Sequence, residues 1–508
     1  MALLNPREKY RSMGRLSRWL GFGLSLGLGL GGLLSSGQAQ AQALNAFCQV
    51  SQAEALRKEE LRKAAFTDSA DESAQATYRQ VVQQHRQQLQ VCRDRTWPRQ
   101  QATWVRLYPC DLQPGILEAV LDRTVNLGYN QIFVEVFYGG QVLLPQADNP
   151  TAWSSVVRST GYERRDLFAE AIAKGRDRGM EVHAWLFTLN FGYSYGQRPD
   201  RQEVLARNGQ GQDTLAFAKS NGSAGHEEVF IDPYHPQAQQ DYRRMLEQIL
   251  RRNPDGVLFD YVRYPRGTGA ASVADGVDDL WIYGSASRNA LLGRALNYQG
   301  QELIRRYISR GHLLESDIAE MDRLYLDEGE PLWQNRVPFG PESSLTVADR
   351  RWRLQQQLWQ LSVAHASQGV IDFLNQVTAP VQQRGLPTGA VFFPGGNQTV
   401  GTGGFDSRLQ QWDRFPLTLS WHPMAYAVCG HTGCILDEVR RVLAVRSPER
   451  IQPAIAGIWG QNTYNRPALE VQMQALQQAL PQLNGVSHFA YSWQDPEFDR
   501  TRKFCQLR

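Results

Sequence analysis

From residue 103 onward, short apolar runs alternate with amphipathic stretches, and that alternation leaves the chain very few folds to adopt. Strand-like runs fall at residues 103–108, 131–136, 181–186, 256–260, 388–393, 417–421, 451–458 and 486–491. Helix-like segments at residues 114–127, 165–178, 236–252, 346–384, 435–445 and 467–480 separate them. Gly128 and Gly179 stop two of these helices and Pro236 opens a third. Segment 346–384 reads as one long helix or a broken pair, and no helix is evident between the fifth and sixth runs. Eight strands, nearly all separated from the next by a helix, is the count of an α/β protein with a (β/α)8 TIM barrel. An open doubly wound sheet would normally carry a Gly-rich phosphate turn after its first strand, and Tyr108-Pro109-Cys110-Asp111 is not one. Segment 267–341 exceeds what a βα connection needs. It is expected as a helical insertion over the mouth of a barrel domain spanning residues 101–508, shaping a cleft or lid.

The first 43 residues read as a secretory signal peptide, not as part of the fold. Arg7, Lys9, Arg11, Arg15 and Arg18 form a basic start, residues 20–34 are apolar and Gly-rich, and Ala39-Gln40-Ala41 and Ala41-Gln42-Ala43 are cleavage-type triplets. The apolar stretch is shorter than the roughly 20 residues that span a bilayer, so no integral membrane segment is expected in the mature chain. Five of the 54 basic and one of the 51 acidic residues lie before residue 44, which leaves 49 against 50. A chain that is close to neutral argues against nucleic acid and against anionic membrane surfaces as partners. An exported location, periplasmic, cell-surface or secreted, makes disulfides the economical reading of the six cysteines. Residues 44–100 read as a helical hairpin with Cys48 and Cys92 equally far from its turn near residue 70, so they would come level. Cys429 and Cys434 bracket a small loop, and Cys110 and Cys505 remain to tie the barrel's start to its end. The alternative is a metal site using His431 inside Cys429–Cys434, but no second ligand cluster with zinc spacing is present. No cofactor motif is found.

Parallel-sheet proteins carry their chemistry at the carboxyl ends of strands. The fourth run, Gly256-Val257-Leu258-Phe259, ends abruptly in Asp260, Tyr261, Arg263 and Tyr264 before Pro265. Its bland reading is a structural ion pair between Asp260 and Arg263. The other strand ends read as Glu135 and Tyr138 on the second, and His183, Trp185 and Asn190 on the third. The sixth offers His422 and Tyr426, the seventh Trp459 and Gln461, and the eighth Trp493 and Asp495. Flat aromatic faces stack on the C–H faces of sugar rings and polar tips satisfy hydroxyls, so several such residues at one barrel end point to a polysaccharide or oligosaccharide, although each aromatic alone is more often core.

The stretch from Trp104 to Pro265 resembles the family-10-like glycosyl hydrolases. The resemblance rests on Gly128-Tyr129-Asn130, Glu181-Val182-His183-Ala184-Trp185, Ile231-Asp232-Pro233-Tyr234-His235-Pro236 and Asp255-Gly256-Val257-Leu258-Phe259-Asp260-Tyr261-Val262-Arg263-Tyr264-Pro265. The last two are the specific ones; after Pro265, Pro423-Met424-Ala425-Tyr426 is the best anchor. It implies a secreted or envelope glycoside hydrolase, with peptidoglycan glycan strands one candidate substrate, and it implies Asp260 as the principal catalytic carboxylate. The best-known form of the motif carries two consecutive Asp residues, whereas Tyr261 holds the second position here.

Glycoside hydrolysis usually needs two carboxyl groups. Asp260 is expected as the nucleophile, its pKa depressed by Arg263. For the acid, Glu135, flanked by Val134, Val136 and Phe137, is favoured over Asp495, Asp232 and Asp406. An equal alternative is a buried Glu135 paired with Arg106 or His183. His183 is expected to orient by hydrogen bonding and His422 to meet sugar hydroxyls or cap its strand. Two other functions stay open: a glycan-binding barrel without turnover, and an envelope scaffold whose hairpin captures a partner.

Overall fold

Eight strands close into a parallel ring in the computed structural model, which describes residues 46–67, 71–220, 227–340 and 345–507. They are β1 (Gln100–Val105), β2 (Gln131–Tyr138), β3 (Glu181–Phe187), β4 (Gly256–Asp260), β5 (Thr388–Phe392), β6 (Ser420–Ala425), β7 (Ala454–Ala456) and β8 (Gly485–Phe489). Each pairs in parallel with its sequence neighbour, and β1 pairs with β8 as well as β2, so no edge is left open. The (β/α)8 expectation is borne out. The expected leader, residues 1–43, lies outside the described residues.

Strands buried on both faces explain the continuous apolar runs that mark them in the sequence. Inside the ring, Trp104 packs edge-on against Phe133, Trp185 and Phe489 at 5.1, 4.7 and 6.1 Å between centroids. This aromatic plug separates the two ends of the barrel.

The helices of eight residues or more are α1 (Gln52–Thr67), α2 (Glu72–Arg93), α3 (Ile116–Asn126), α4 (Leu167–Asp177), α5 (Pro236–Leu250), α6 (Ser285–Leu292), α7 (Tyr298–Arg310), α8 (Glu315–Leu324), α9 (Val347–Gln382), α10 (Gly433–Leu443), α11 (Leu469–Ala479) and α12 (Pro496–Phe504). Between β5 and β6 there is no α-helix, in keeping with the sequence; a hairpin of Thr399–Val400 and Gly404–Asp406 fills that connection. Segment 346–384 forms one helix, α9, opened by a reciprocal cap between Thr346 and Asp349. At 36 residues it runs about 54 Å, longer than the barrel is tall. Its second half lies beside α5, where Gln376 meets Gln239. Its first half carries the inserted helices α6 to α8, with Gln355 accepting from Leu313 N and Arg350 pairing with Asp322.

Helices α1 and α2 lie on α3 and α4 through a buried polar knot. Asp122 accepts from Tyr78 at 2.6 Å and Arg178 at 2.9 Å and sits 3.7 Å from the Lys58 ammonium. Arg93 donates to the carbonyls of Phe47, Pro98 and Gly128. Gly128 has φ +81°, and a Cβ there would stand 2.2 Å from the Phe47 carbonyl oxygen. Gly128→Ala is therefore expected to destabilise by about 2 kcal/mol or more, read as a drop in the midpoint of chemical unfolding.

The three expected disulfides are formed: Cys48–Cys92, Cys110–Cys505 and Cys429–Cys434. The last removes the cysteine ligands of the alternative metal site, and among the described residues no group of His, Cys, Asp or Glu side chains could hold a metal ion. No helix among them is long and apolar enough to cross a membrane.

Candidate active site

Asp260 is the last residue of β4 and opens on the carboxyl end of the barrel, 7% exposed. Its Oδ1 accepts from the Tyr261 backbone N–H at 2.6 Å and its Oδ2 from the Trp185 indole N–H at 3.1 Å. Burial pushes its pKa up to about 6, against the opposing pull of these hydrogen bonds and of Arg263. This is the reverse of the expected direction. Arg263 is three residues away in sequence but makes no ion pair with Asp260, so desolvation outweighs it. Tyr261 takes φ +52°, the left-handed region, which turns its ring onto Phe187 at 4.2 Å and under the Arg263 guanidinium at 4.6 Å.

Glu135 stands on β2, two strands from Asp260 across β3, and contributes to the field that raises the Asp260 pKa. Its side chain is enclosed and both oxygens are taken by the Arg106 fork, Nη2 to Oε1 at 2.9 Å and Nε to Oε2. Burial opposes the charge on Arg106, but the Glu135 carboxylate overcomes it and drives the guanidinium further above its ordinary value. Of the two readings of Glu135, the ion pair with Arg106 is the one observed. The strand register slips between Glu135 and Phe137. That bulge sends Phe137 outward to Trp153 at 4.7 Å and lets Tyr138 stack under Arg106 at 4.4 Å.

Tyr426, just past β6, feels the Asp260 charge; its hydroxyl is enclosed and meets no hydrogen-bond partner among the described residues. Phe489 lies 5.7 Å from Tyr426 and 6.0 Å from Trp493, and Trp493 lies 5.5 Å from Tyr464. An aromatic path thus leads from the carboxyl outward to Tyr464, which is 69% exposed. Gln461 sits on the same exposed loop. Tyr464, Phe489 and Glu228, whose carboxylate accepts from the Tyr261 hydroxyl at 3.1 Å, are site residues that the sequence does not flag.

Several expected site residues lie elsewhere. His183 pairs in register with Gly256, four residues below Asp260, and His422 is the third residue of β6. Both line a cavity of about 550 Å³ at the amino end of the barrel, with Gln131, Glu181, Ser420 and Gln452. Burial pushes the His422 imidazole down to about 3, so it is neutral. Trp459 turns behind the barrel wall, donating to Tyr129 at 3.1 Å and packing on Phe47 and His488. Tyr264 is fully buried, its hydroxyl on the Ala366 carbonyl of α9. Asn190 spends its carbonyl oxygen on the backbone N–H groups of Gly192 and Val229. Asp495 caps α12 through Phe498 N and pairs with Arg123. Asp232 holds the insertion by accepting from Ser287 N and Tyr234 N, and Asp406 is paired with Arg408.

Residues 117–276 match the family model described as Glycosyl hydrolase-like 10, a stretch that contains β2, β3 and β4 with Glu135, Trp185 and Asp260. No curated protein matches the sequence. Among solved structures, the glycoside hydrolase domain of PgaB (BpsB) from Bordetella bronchiseptica is similar at 14% identity and TM-score 0.45, covering 80% of this chain and 99% of that one. A GH18 chitinase from Pseudoalteromonas aurantia is similar at 9% identity and TM-score 0.35, covering 79% and 98%. A β-galactosidase from Marinomonas ef1 is similar at 10% identity and TM-score 0.42, covering 79% and 58%. At these identities and TM-scores no activity is carried from them to this chain.

Proposed function

We propose that this chain is an exported glycoside hydrolase acting on a polysaccharide, with Asp260 as its general acid. The observation that carries the proposal is the Asp260 carboxyl, buried at the strand tip, hydrogen-bonded by Trp185 and raised to about 6. Such a group keeps its proton in mildly acidic solution and delivers it to the leaving glycosidic oxygen as the C–O bond breaks. Glu135, fixed by Arg106, supplies the second carboxylate, either attacking the anomeric carbon or taking a proton from water. The two strands that carry the pair are separated only by β3 and stand about 10 Å apart. Trp493, Tyr464 and Tyr138 offer faces for sugar rings, and Gln461 offers an amide group. Three disulfides support export.

The side chain of Glu135 is only 1% exposed and wholly engaged by Arg106, which favours the other role for the barrel, glycan binding without turnover. Release of reducing ends from envelope polysaccharides, peptidoglycan glycan strands among them, separates the two. Turnover that Glu135→Gln lowers by about a hundredfold supports hydrolysis by the pair. Saturable glycan binding with no new reducing ends would leave the barrel a binding protein.

A further inference from the structure

Two guanidinium groups flank the ring of Phe393 at the barrel mouth, and among the described residues only one of them has an ion-pair partner. Arg408, 4.5 Å from the ring centroid, gives its Nε and Nη2 to the two oxygens of Asp406, each at 2.7 Å. Arg263, 5.8 Å from the same centroid and 7% exposed, has no carboxylate within ion-pair distance among the described residues. Its Nη1 donates to the Tyr264 carbonyl at 2.9 Å. Its Nε and Nη2 make no hydrogen bond to a described residue, and neither belongs to the enclosed polar atoms left without partners. These two N–H groups therefore keep contact with solvent, beside the Tyr261 and Phe393 rings that follow the tips of β4 and β5. Tyr261 and Phe230, at 4.6 and 5.7 Å, complete an aromatic wall around the cation.

A guanidinium held this deeply with no carboxylate in ion-pair contact among the described residues is unfavourable unless a ligand brings one. The Nε and Nη2 groups form a flat fork, the geometry that takes a carboxylate through two parallel hydrogen bonds. A doubly charged phosphate would stand against both Asp260 and Glu135; a singly charged carboxylate meets less repulsion. Arg263 follows Asp260 by three residues, so the anion would belong to a sugar next to the bond being broken.

We infer that the substrate is an acidic polysaccharide, and that Arg263 binds the carboxylate of a uronic acid or other carboxyl-bearing sugar beside the bond that Asp260 protonates. This rests on the glycan-active reading above and narrows it to one chemical class.

The test is binding of the full chain to polygalacturonate, alginate and glucuronoxylan, each compared with its carboxyl-reduced form. The charged form is expected to bind wild-type protein about tenfold tighter or more, with the advantage shrinking as salt rises. Arg263→Met is expected to bring the ratio of affinities toward one, and Arg263→Lys to keep part of it because the charge remains without the fork. Equal or better binding of the reduced polymers by wild type would overturn the inference, and that comparison needs no variant to fold. A preference that survives in folded Arg263→Met would overturn it as well. Binding of neutral glycans alone would remove the acidic class and leave the glycan reading intact, whereas no binding to glycans of either kind would remove both.

Discussion

Asp260→Asn is expected to lower polysaccharide turnover by about a thousandfold while raising the stability of the fold at neutral pH. The single carbonyl oxygen of asparagine accepts from the Tyr261 N–H or from the Trp185 indole but not from both, so one of the two hydrogen bonds is lost, and the amide has no proton to deliver. The stability gain follows from a native pKa of about 6 against 3.8 for the unperturbed side chain. Below pH 3.8 both folded and unfolded wild-type chains hold the proton, and the two proteins differ least. Between 3.8 and about 6 the unfolded chain loses a proton the native state keeps, so wild-type stability falls as pH rises. Above about 6 the full penalty remains, on the order of 2 to 3 kcal/mol, and the variant escapes it at the cost of one hydrogen bond, about 1 kcal/mol. Chemical unfolding of both proteins across pH 4 to 8 reads the gap directly. A gap that moves against the variant as pH rises from 4 to 8 would mean that Arg263 controls Asp260 after all, and the general-acid role would fall with it.

The second large effect is expected far from the carboxyl. Arg502 of α12 donates to both oxygens of Asp111 at 2.8 and 2.7 Å, with the side chains 2% and 0% exposed. The same guanidinium reaches the Arg106 carbonyl at 3.0 Å and Asp499 at 3.1 Å. Arg502→Met strands the Asp111 carboxylate with only the Tyr108 N–H, and a loss of about 3 to 5 kcal/mol is expected in unfolding midpoint measurements. Because Arg502 steadies the backbone of the residue that clamps Glu135, activity is expected to fall in the protein that remains folded. Pairing Arg502→Met with Asp111→Leu is expected to recover much of the stability by removing the stranded charge. Cys110–Cys505 closes the same corner covalently, so adding reductant is expected to deepen the loss in the single variant.

Where this protein obeys local rules, its sequence is easy to read. Gly256–Asp260 is legible to the residue because a buried parallel strand is a short apolar run and its end is marked by sudden polarity. The disulfides are legible because spacing about a hairpin turn, a small loop and the two ends of the barrel leaves one economical pairing. The sixth strand is not. The sequence places it at residues 417–421, yet it runs over Ser420–Ala425, because Pro423 reads as a strand breaker but pairs within this strand. That shift carries His422 from the mouth to the amino end and leaves Tyr426 at the tip. His183 is misplaced for a related reason: sequence shows that a histidine sits in a strand but not how far it stands below the tip. Room for the two rings comes from Gly256 and Gly389, where a Cβ would stand 2.5 Å from His183 and 2.6 Å from His422. The sign of the Asp260 shift is hidden because it is the balance of desolvation against a nearby charge, and neither burial nor the direction of Arg263 is written in the local sequence.

The most direct test of the account is to incubate the protein with a polysaccharide it binds in heavy-oxygen water and weigh the products. Hydrolysis through Asp260 requires one heavy oxygen at each new reducing end, and a loss of those products in Asp260→Asn. Unsaturated products without the label, or a glycan bound and left uncut, would contradict it.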